Sequence, residues 1–208
     1  MNFMNKKRLL VLGTGNRHKL IELTPYLSEL PLELKAAGDF GPFDPEETGD
    51  TLEANALIKA QAALALSGEW SVADDTGLEV DALDGRPGVY SSRYAGVGCS
   101  YADNVRKLLR EMNDMPEPKR TARFTCVIAF CRPNAEPKFF RGECPGKIIA
   151  TAKGSAGFGY DPVFVPERQA EGQNLTFAEL SLEAKNRISH RGLAAQKLCV
   201  FLRTLNET

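Results

Sequence analysis

The chain has 208 residues, 43% of them hydrophobic and 25% charged, an ordinary globular make-up that excludes a disordered or fibrous protein. Its 26 Lys and Arg against 27 Asp and Glu give a net charge of -1. That balance removes the broad basic field that duplex nucleic acid or anionic lipid favours, so any polyanionic ligand is expected to be small and bound locally. Following Lys6, Lys7 and Arg8, the longest early apolar run is residues 9–12, shorter than the roughly 7 residues of a secretory h-region. Neither an export signal nor a membrane span is expected.

Residues 8–13 read as a short buried strand running into Thr14, Gly15 and Asn16, residue types that turn and cap. A helix is expected next, with Leu20, Leu23, Leu27 and Leu30 at helical spacing and Pro25 kinking or dividing it. Residues 37–50 are rich in Gly, Pro and acid and read as a loop. Asp50 with Glu53 resembles a capping box for an Ala- and Leu-rich helix over residues 51–67, ending near Gly68. A strand over residues 70–73, a turn over 74–77, a strand over 78–83 and a turn at 84–88 should follow.

Ser100 and Asp103 cap an amphipathic helix carrying Val105, Leu108, Leu109 and Met112 on one face, broken at residues 115–119 by two prolines. Alternation of Phe124, Cys126, Ile128 and Phe130 predicts a half-buried strand, followed by strands near residues 139–141 and 147–152. A Gly-rich loop over 154–159 and a strand over 163–165 come next. The chain closes in helical residues 176–205, broken near Ser189. There are no repeats, and strands mix with helices without strict alternation, which predicts an α/β fold with a mixed sheet.

The five cysteines form an odd set without a CxxC pair, which argues for reduced thiols in a cytoplasm-like compartment. With only His18 and His190 available, a zinc site of His and Cys is disfavoured. Any metal would be held by carboxylates and would be Mg²⁺, with Mn²⁺ as a substitute.

Five segments carry candidate chemistry. GTGNRHK, residues 13–19, lies between a strand and a helix, where glycines and unpaired N–H groups suit a phosphate. It matches neither the dinucleotide fingerprint, since His18 replaces the third glycine, nor the Walker A loop, and an ordinary strand-to-helix turn fits it equally. In ADDTGLEV, Asp74 and Asp75 follow a buried strand; like charges about 4 Å apart repel by roughly 4 kcal/mol at an effective dielectric of 20, so such a pair calls for a cation or a shared proton. A solvated turn with its side chains pointing apart is the alternative.

In EETGDTLEANALIKA, Glu46 and Glu47 precede a helix on which Thr51, Asn55 and Lys59 are spaced four apart on one face; acid complementing the helix dipole explains the glutamates equally well. In GSAGFGYDPVF, Phe158 and Tyr160 could stack on a base and Asp161 could hold a sugar or base edge, against the alternative of a hairpin with core aromatics. In EAKNRISHRG, Lys185, Arg187, His190 and Arg191 form a basic group that a solvated face would also explain.

Taken together, in order and spacing along nearly the whole chain, these segments resemble the inosine triphosphate pyrophosphatase family, the XTP/dITP pyrophosphatases that act on non-canonical purine nucleotides. The resemblance implies one domain over residues 1–208, a long twisted mixed sheet flanked by helices, two lobes around a central nucleotide-binding cleft, and a homodimer. It implies that Thr14, Gly15, Asn16, Arg17, His18 and Lys19 bind the triphosphate. Glu47 and Asp75, helped by Asp74, would hold Mg²⁺, and Asp75 would also be the catalytic acceptor. Thr76 keeps a hydroxyl where the family often has Ser; Phe158, Gly159, Tyr160 and Asp161 would surround the base; Lys185, His190 and Arg191 would complete recognition. Arg17 and His18 stand where many relatives have small residues, so side chains as well as backbone are available in that loop.

The reaction implied is attack of water on the α-phosphorus of ITP, dITP or XTP, releasing pyrophosphate and cleansing the nucleotide pool. No nucleic acid polymer and no membrane are expected as partners. A dehydrogenase would need an acid at the end of a second strand, where PLELKAAG has Glu33 in mid-segment. A sensing module without catalysis could dispense with Asp74 and Asp75, which are both present.

Overall fold

A computed structural model describes residues 7–206, so Lys6 lies outside the described residues. Seven strands form one sheet in the order β2-β1-β3-β5-β6-β7, with β4 pairing to β3 off that path. β1 (Arg8–Leu12) runs parallel to β2 (Leu32–Ala36) and to β3 (Trp70–Val80). β4 (Pro87–Gly88) is antiparallel to β3, and β7 (Phe164–Pro166) is antiparallel to β6 (Lys138–Ile148). With β5 (Thr121–Cys131) and helices α1 (Arg17–Leu27), α2 (Leu52–Ser67), α3 (Tyr101–Glu111), α4 (Leu182–Ile188) and α5 (His190–Asn206), this is the expected α/β mixed sheet flanked by helices.

The chain divides into two compact units, and the division falls within β3, β5, β6 and α5. The first contains the residues up to Asp75, Val127–Phe140 and the residues from Ala195 on. There α2 packs its alanines: Val11, Ala37 and Ala63 form a buried cluster against which Leu9, Phe40 and Phe43 lie. Small residues let α2 sit close to the end of β1, where a Cβ on Gly13 would lie 3.1 Å from both the Lys59 carbonyl and the Ala73 Cβ. The second unit, Thr76–Cys126 with Arg141–Ala194, is built around a larger apolar core that includes Leu78, Leu108, Phe124, Tyr160, Phe164 and Phe177.

Local signals place most helix ends. The Asn16 side chain caps α1 by accepting from His18 N, Ser100 and Asp103 make the expected capping box on α3, and α2 stops at Gly68 with φ 71°. The helical tail is broken at Ser189 as expected, although its first helix begins only at Leu182 behind a Ser181 cap.

Several expectations are corrected. Pro25 does not divide α1, which continues to Leu27; the proline falls in the last turn, where few helical bonds remain to be lost. The cap of α2 is Thr51, whose Oγ1 accepts from Ala54 N, rather than Asp50. Residues 74–77 are not a turn: β3 runs unbroken through them. In place of the two strands expected near 139–141 and 147–152 there is one strand, β6, which ends at Ile148 and leaves residues 149–152 outside it, and β5 is continuously buried from Phe124 to Cys131 rather than half-buried.

Candidate active site

In the first unit, the mid-strand position of Asp74 and Asp75 puts both carboxylates in the interior, 1% and 6% exposed, on opposite sides of an extended backbone. Each meets its own lysine. Lys19, in the first turn of α1, reaches Asp74 Oδ2 at 3.1 Å and the Asp74 carbonyl oxygen at 3.2 Å. Lys59, on the buried face of α2, donates to Asp75 Oδ1 at 2.9 Å and to Glu47 Oε1 at 2.5 Å. Glu47 thus joins Asp75 through a shared ammonium, and the helix face of Thr51, Asn55 and Lys59 is the one that turns toward them.

Three acids and two lysines leave this group one negative charge in surplus. Burial pushes the Asp75 carboxyl above the usual carboxylate range despite Lys59 and Lys19. Burial also works against charge on Lys59, but Asp75, Asp74 and Glu47 outweigh it and hold the ammonium above its ordinary value. The two directions have different causes: loss of water dominates at Asp75, whereas at Lys59 the surrounding acids together outweigh it.

The loop from Gly13 to Asn16 leaves β1 through a hydrogen bond from Gly13 N to Val72 O at 2.7 Å. Thr14 Oγ1 accepts from Asn16 N at 3.1 Å and Asn16 Oδ1 from His18 N at 3.0 Å, so the hydroxyl and amide hold the loop's shape. Gly15, Arg17 and His18 are exposed. Lys59, which the sequence placed on one helix face with Thr51 and Asn55 but to which no role was assigned, is the cation that joins Glu47 to Asp75.

In the second unit a compact arrangement surrounds Phe158. Asp161 Oδ2 accepts from Phe158 N at 2.8 Å and from Lys185 Nζ at 2.6 Å. Gly157, at φ 73°, is required there, because a Cβ would sit 2.0 Å from that oxygen. Lys185 Nζ lies 5.1 Å from the Phe158 ring centroid and Arg191 Cζ 5.6 Å, while Tyr101 packs on the same ring at 5.8 Å. Arg191 also donates to Thr76 Oγ1 at 3.0 Å, and Thr76 follows Asp75 on β3.

The rings of two expected recognition residues, Tyr160 and His190, are packed in the interior. Tyr160 is buried, its hydroxyl donating to the Ser91 carbonyl at 2.9 Å, and His190 stacks on Phe124 at 4.6 Å with 17° between the planes. Gly159 precedes Tyr160 in the loop. Among the described residues, no group of three or more His, Cys, Asp or Glu is arranged to hold a metal by itself, since Lys59 stands between Glu47 and Asp75. The donor set nonetheless fits a hard divalent ion: the oxygens are carboxylate oxygens, and their surplus charge is of the right sign.

Comparison with known proteins places these residues in context. The Ham1 family model matches residues 10–201. The chain is 49% identical over 187 residues to the dITP/XTP pyrophosphatase of Geobacter sulfurreducens, covering 89% of this chain and 92% of that protein. It is 45% identical to the protein of the same name from Vibrio cholerae over 91% of this chain and 94% of the other. Among solved structures, a HAM1 protein from Coxiella burnetii superposes with a TM-score of 0.84 at 37% identity, covering 95% of this chain and 99% of that one.

Proposed function

The chain belongs to the Ham1 family, and on that premise we propose that it hydrolyses ITP, dITP and XTP to the nucleoside monophosphate and pyrophosphate. The observation that carries the reading is Asp75: a buried carboxylate in mid-strand, its charge incompletely offset, joined to Glu47 through Lys59.

Glu47 and Asp75, with Asp74, are the residues that would hold Mg²⁺, or Mn²⁺ in its place. When bound, the ion supplies charge to the phosphate oxygens and acidifies a water. Asp75 orients the attacking water and accepts its proton; its raised affinity for protons suits that task. Lys19 and the N–H groups of residues 14–19 bind the triphosphate, and Lys19 stabilises the negative charge that gathers on the phosphoryl oxygens as the bond to water forms. Phe158 offers the base a half-buried aromatic face made rigid by Asp161, and Lys185 and Arg191 add positive charge beside it.

Discrimination against ATP rests on hydrogen-bond polarity. A 6-keto oxygen accepts where the adenine 6-amino group donates. The donors proposed to meet the keto oxygen are backbone N–H groups near Ser189 to Arg191, of which the Ser189 N–H also bonds the Lys185 carbonyl at 2.8 Å. One donor facing another costs about 1–3 kcal/mol, roughly 5-fold to 150-fold in kcat/KM.

No helix among the described residues is long and apolar enough to cross a membrane, and all five cysteines are free thiols, which supports a reducing, cytoplasmic setting. The near-neutral charge supports a small nucleotide rather than a polymer as partner, and a homodimer accords with the family reading. The test is kcat/KM for ITP, XTP, dITP, GTP and ATP with Mg²⁺, products separated, in ¹⁸O-labelled water. Label in the monophosphate and ITP preferred over ATP are expected; label in free inorganic phosphate, or an ATP value within about twofold of ITP, refutes the reading.

A further inference from the structure

On the helix face spaced four apart, Thr51 caps α2 and Lys59 binds the acids; Asn55, between them, has no part in the proposed chemistry. It is fully buried, at 0% exposure. Its Oδ1 accepts from Gly49 N at 2.8 Å, which fixes the amide's orientation, because the reverse orientation would set two donors against each other. Its Nδ2 is buried with no hydrogen-bond partner. Such a donor carries a standing desolvation cost that leucine of similar size would avoid, so the polar group is retained for what its oxygen does. That oxygen holds the backbone two residues after Glu47. Gly49 is locked from the other side as well: a Cβ there would lie 2.6 Å from Ala54 Cβ and 2.8 Å from Asn55 Oδ1.

We propose that Asn55 is a positioning residue for Glu47, holding the turn at Gly49 so that the Glu47 carboxylate stays on Lys59 beside Asp75. The inference rests on the reading that Glu47 serves catalysis. An acid supplied by a loop needs its backbone fixed if it is to reach the same ammonium in every molecule, and within this loop the Gly49–Asn55 bond ties it to α2. Asn55 acts through Glu47 and touches no reacting atom.

The test is a cycle of Asn55→Leu, Glu47→Gln and the double variant, with Gly49→Ala as a second disturbance of the same turn that leaves Asn55 in place. Asn55→Leu removes one unpaired buried donor and frees another, the Gly49 N–H, so its Tm is expected to stay close to the parent's. Its kcat for ITP should fall at least tenfold with KM changed less than about threefold, and Gly49 amide exchange, read by NMR, should accelerate. Gly49→Ala should lower kcat in the same direction, which keeps the inference testable if Asn55→Leu folds poorly. The double variant should be no slower than Glu47→Gln alone, because both changes remove one function. If Glu47→Gln is slow while Asn55→Leu or Gly49→Ala turns over at the parent rate, the positioning role is wrong. Fully multiplicative losses in the double variant also overturn it. A Glu47→Gln enzyme as fast as the parent refutes the role of Glu47 itself, an outcome distinct from the other two.

Discussion

Among the described residues each compact unit buries one lysine, and the two lysines are surrounded differently. Lys59 is shared by two carboxylates in a group of three acids and two lysines, whereas Lys185 serves the single carboxylate of Asp161 and lies over the rings of Phe158 and Phe177. Counting Arg191, the second group has one acid and two cations, so its surplus is positive where the first is negative. The contrast teaches that a protein of nearly zero net charge can hold local surpluses of opposite sign in its two units. An acid surplus suits a hard cation and an attacking water. A cationic surplus around an aromatic ring suits an electron-rich keto purine.

The largest predicted effect breaks the acid group. Asp75→Asn should lower kcat by about 10²–10⁴-fold while circular dichroism stays that of the parent, and chelation with EDTA should abolish parent turnover. Parent-like hydrolysis in either case would remove the acid group from the chemistry. Next, Lys59→Met strands Asp75 and Glu47 together, a loss of about 3–5 kcal/mol by denaturant unfolding. Lys185→Met should cost less, because Asp161 keeps its bond from Phe158 N. A larger loss at Lys185 would overturn the contrast between the two lysines.

Phe158→Ala should raise KM for ITP about 5-fold to 150-fold, the equivalent of about 1–3 kcal/mol of base stacking, with kcat nearly unchanged. Steady-state kinetics separate this from the Asp75 effect, and a fall in kcat alone would contradict the division of labour. The smallest effect sharpens the comparison by lying outside both groups. Ser100→Ala removes the capping box of α3 and should cost about 1 kcal/mol of stability, seen in unfolding, with kcat preserved.

Much of the local structure was legible because its signals act within a few residues. Asn16, Ser100 with Asp103, Gly68 and the break at Ser189 all rest on one side chain or one φ angle near a helix end. The failures came where composition suggested a turn or break and packing decided otherwise. Asp74, Asp75, Thr76 and Gly77 are turn-forming types, yet the strand continues; a Cβ on Gly77 would lie 2.7 Å from the Gly88 carbonyl oxygen, so the glycine makes room for β4. In β6, between the two stretches expected as separate strands, Gly142 and Gly146 admit the His190 and Val165 carbonyls, to which a Cβ would come within 2.2 and 2.3 Å. Tyr160 and His190 carried the right chemistry for a nucleotide site, and only burial shows that their rings serve the core.

The sequence by itself determined the residue types, their order, the helix caps and the acids able to do this chemistry, because each depends on identity or on neighbours within about one helical turn. Only the tertiary structure decided that the acids are buried in mid-strand and which cations answer them. Lys19 reaches Asp74 across 55 positions and Lys59 reaches Asp75 across 16. A carboxylate can stay charged in an interior only when a cation is brought to it, and which cation arrives is set by the packing of α1 and α2 against the sheet.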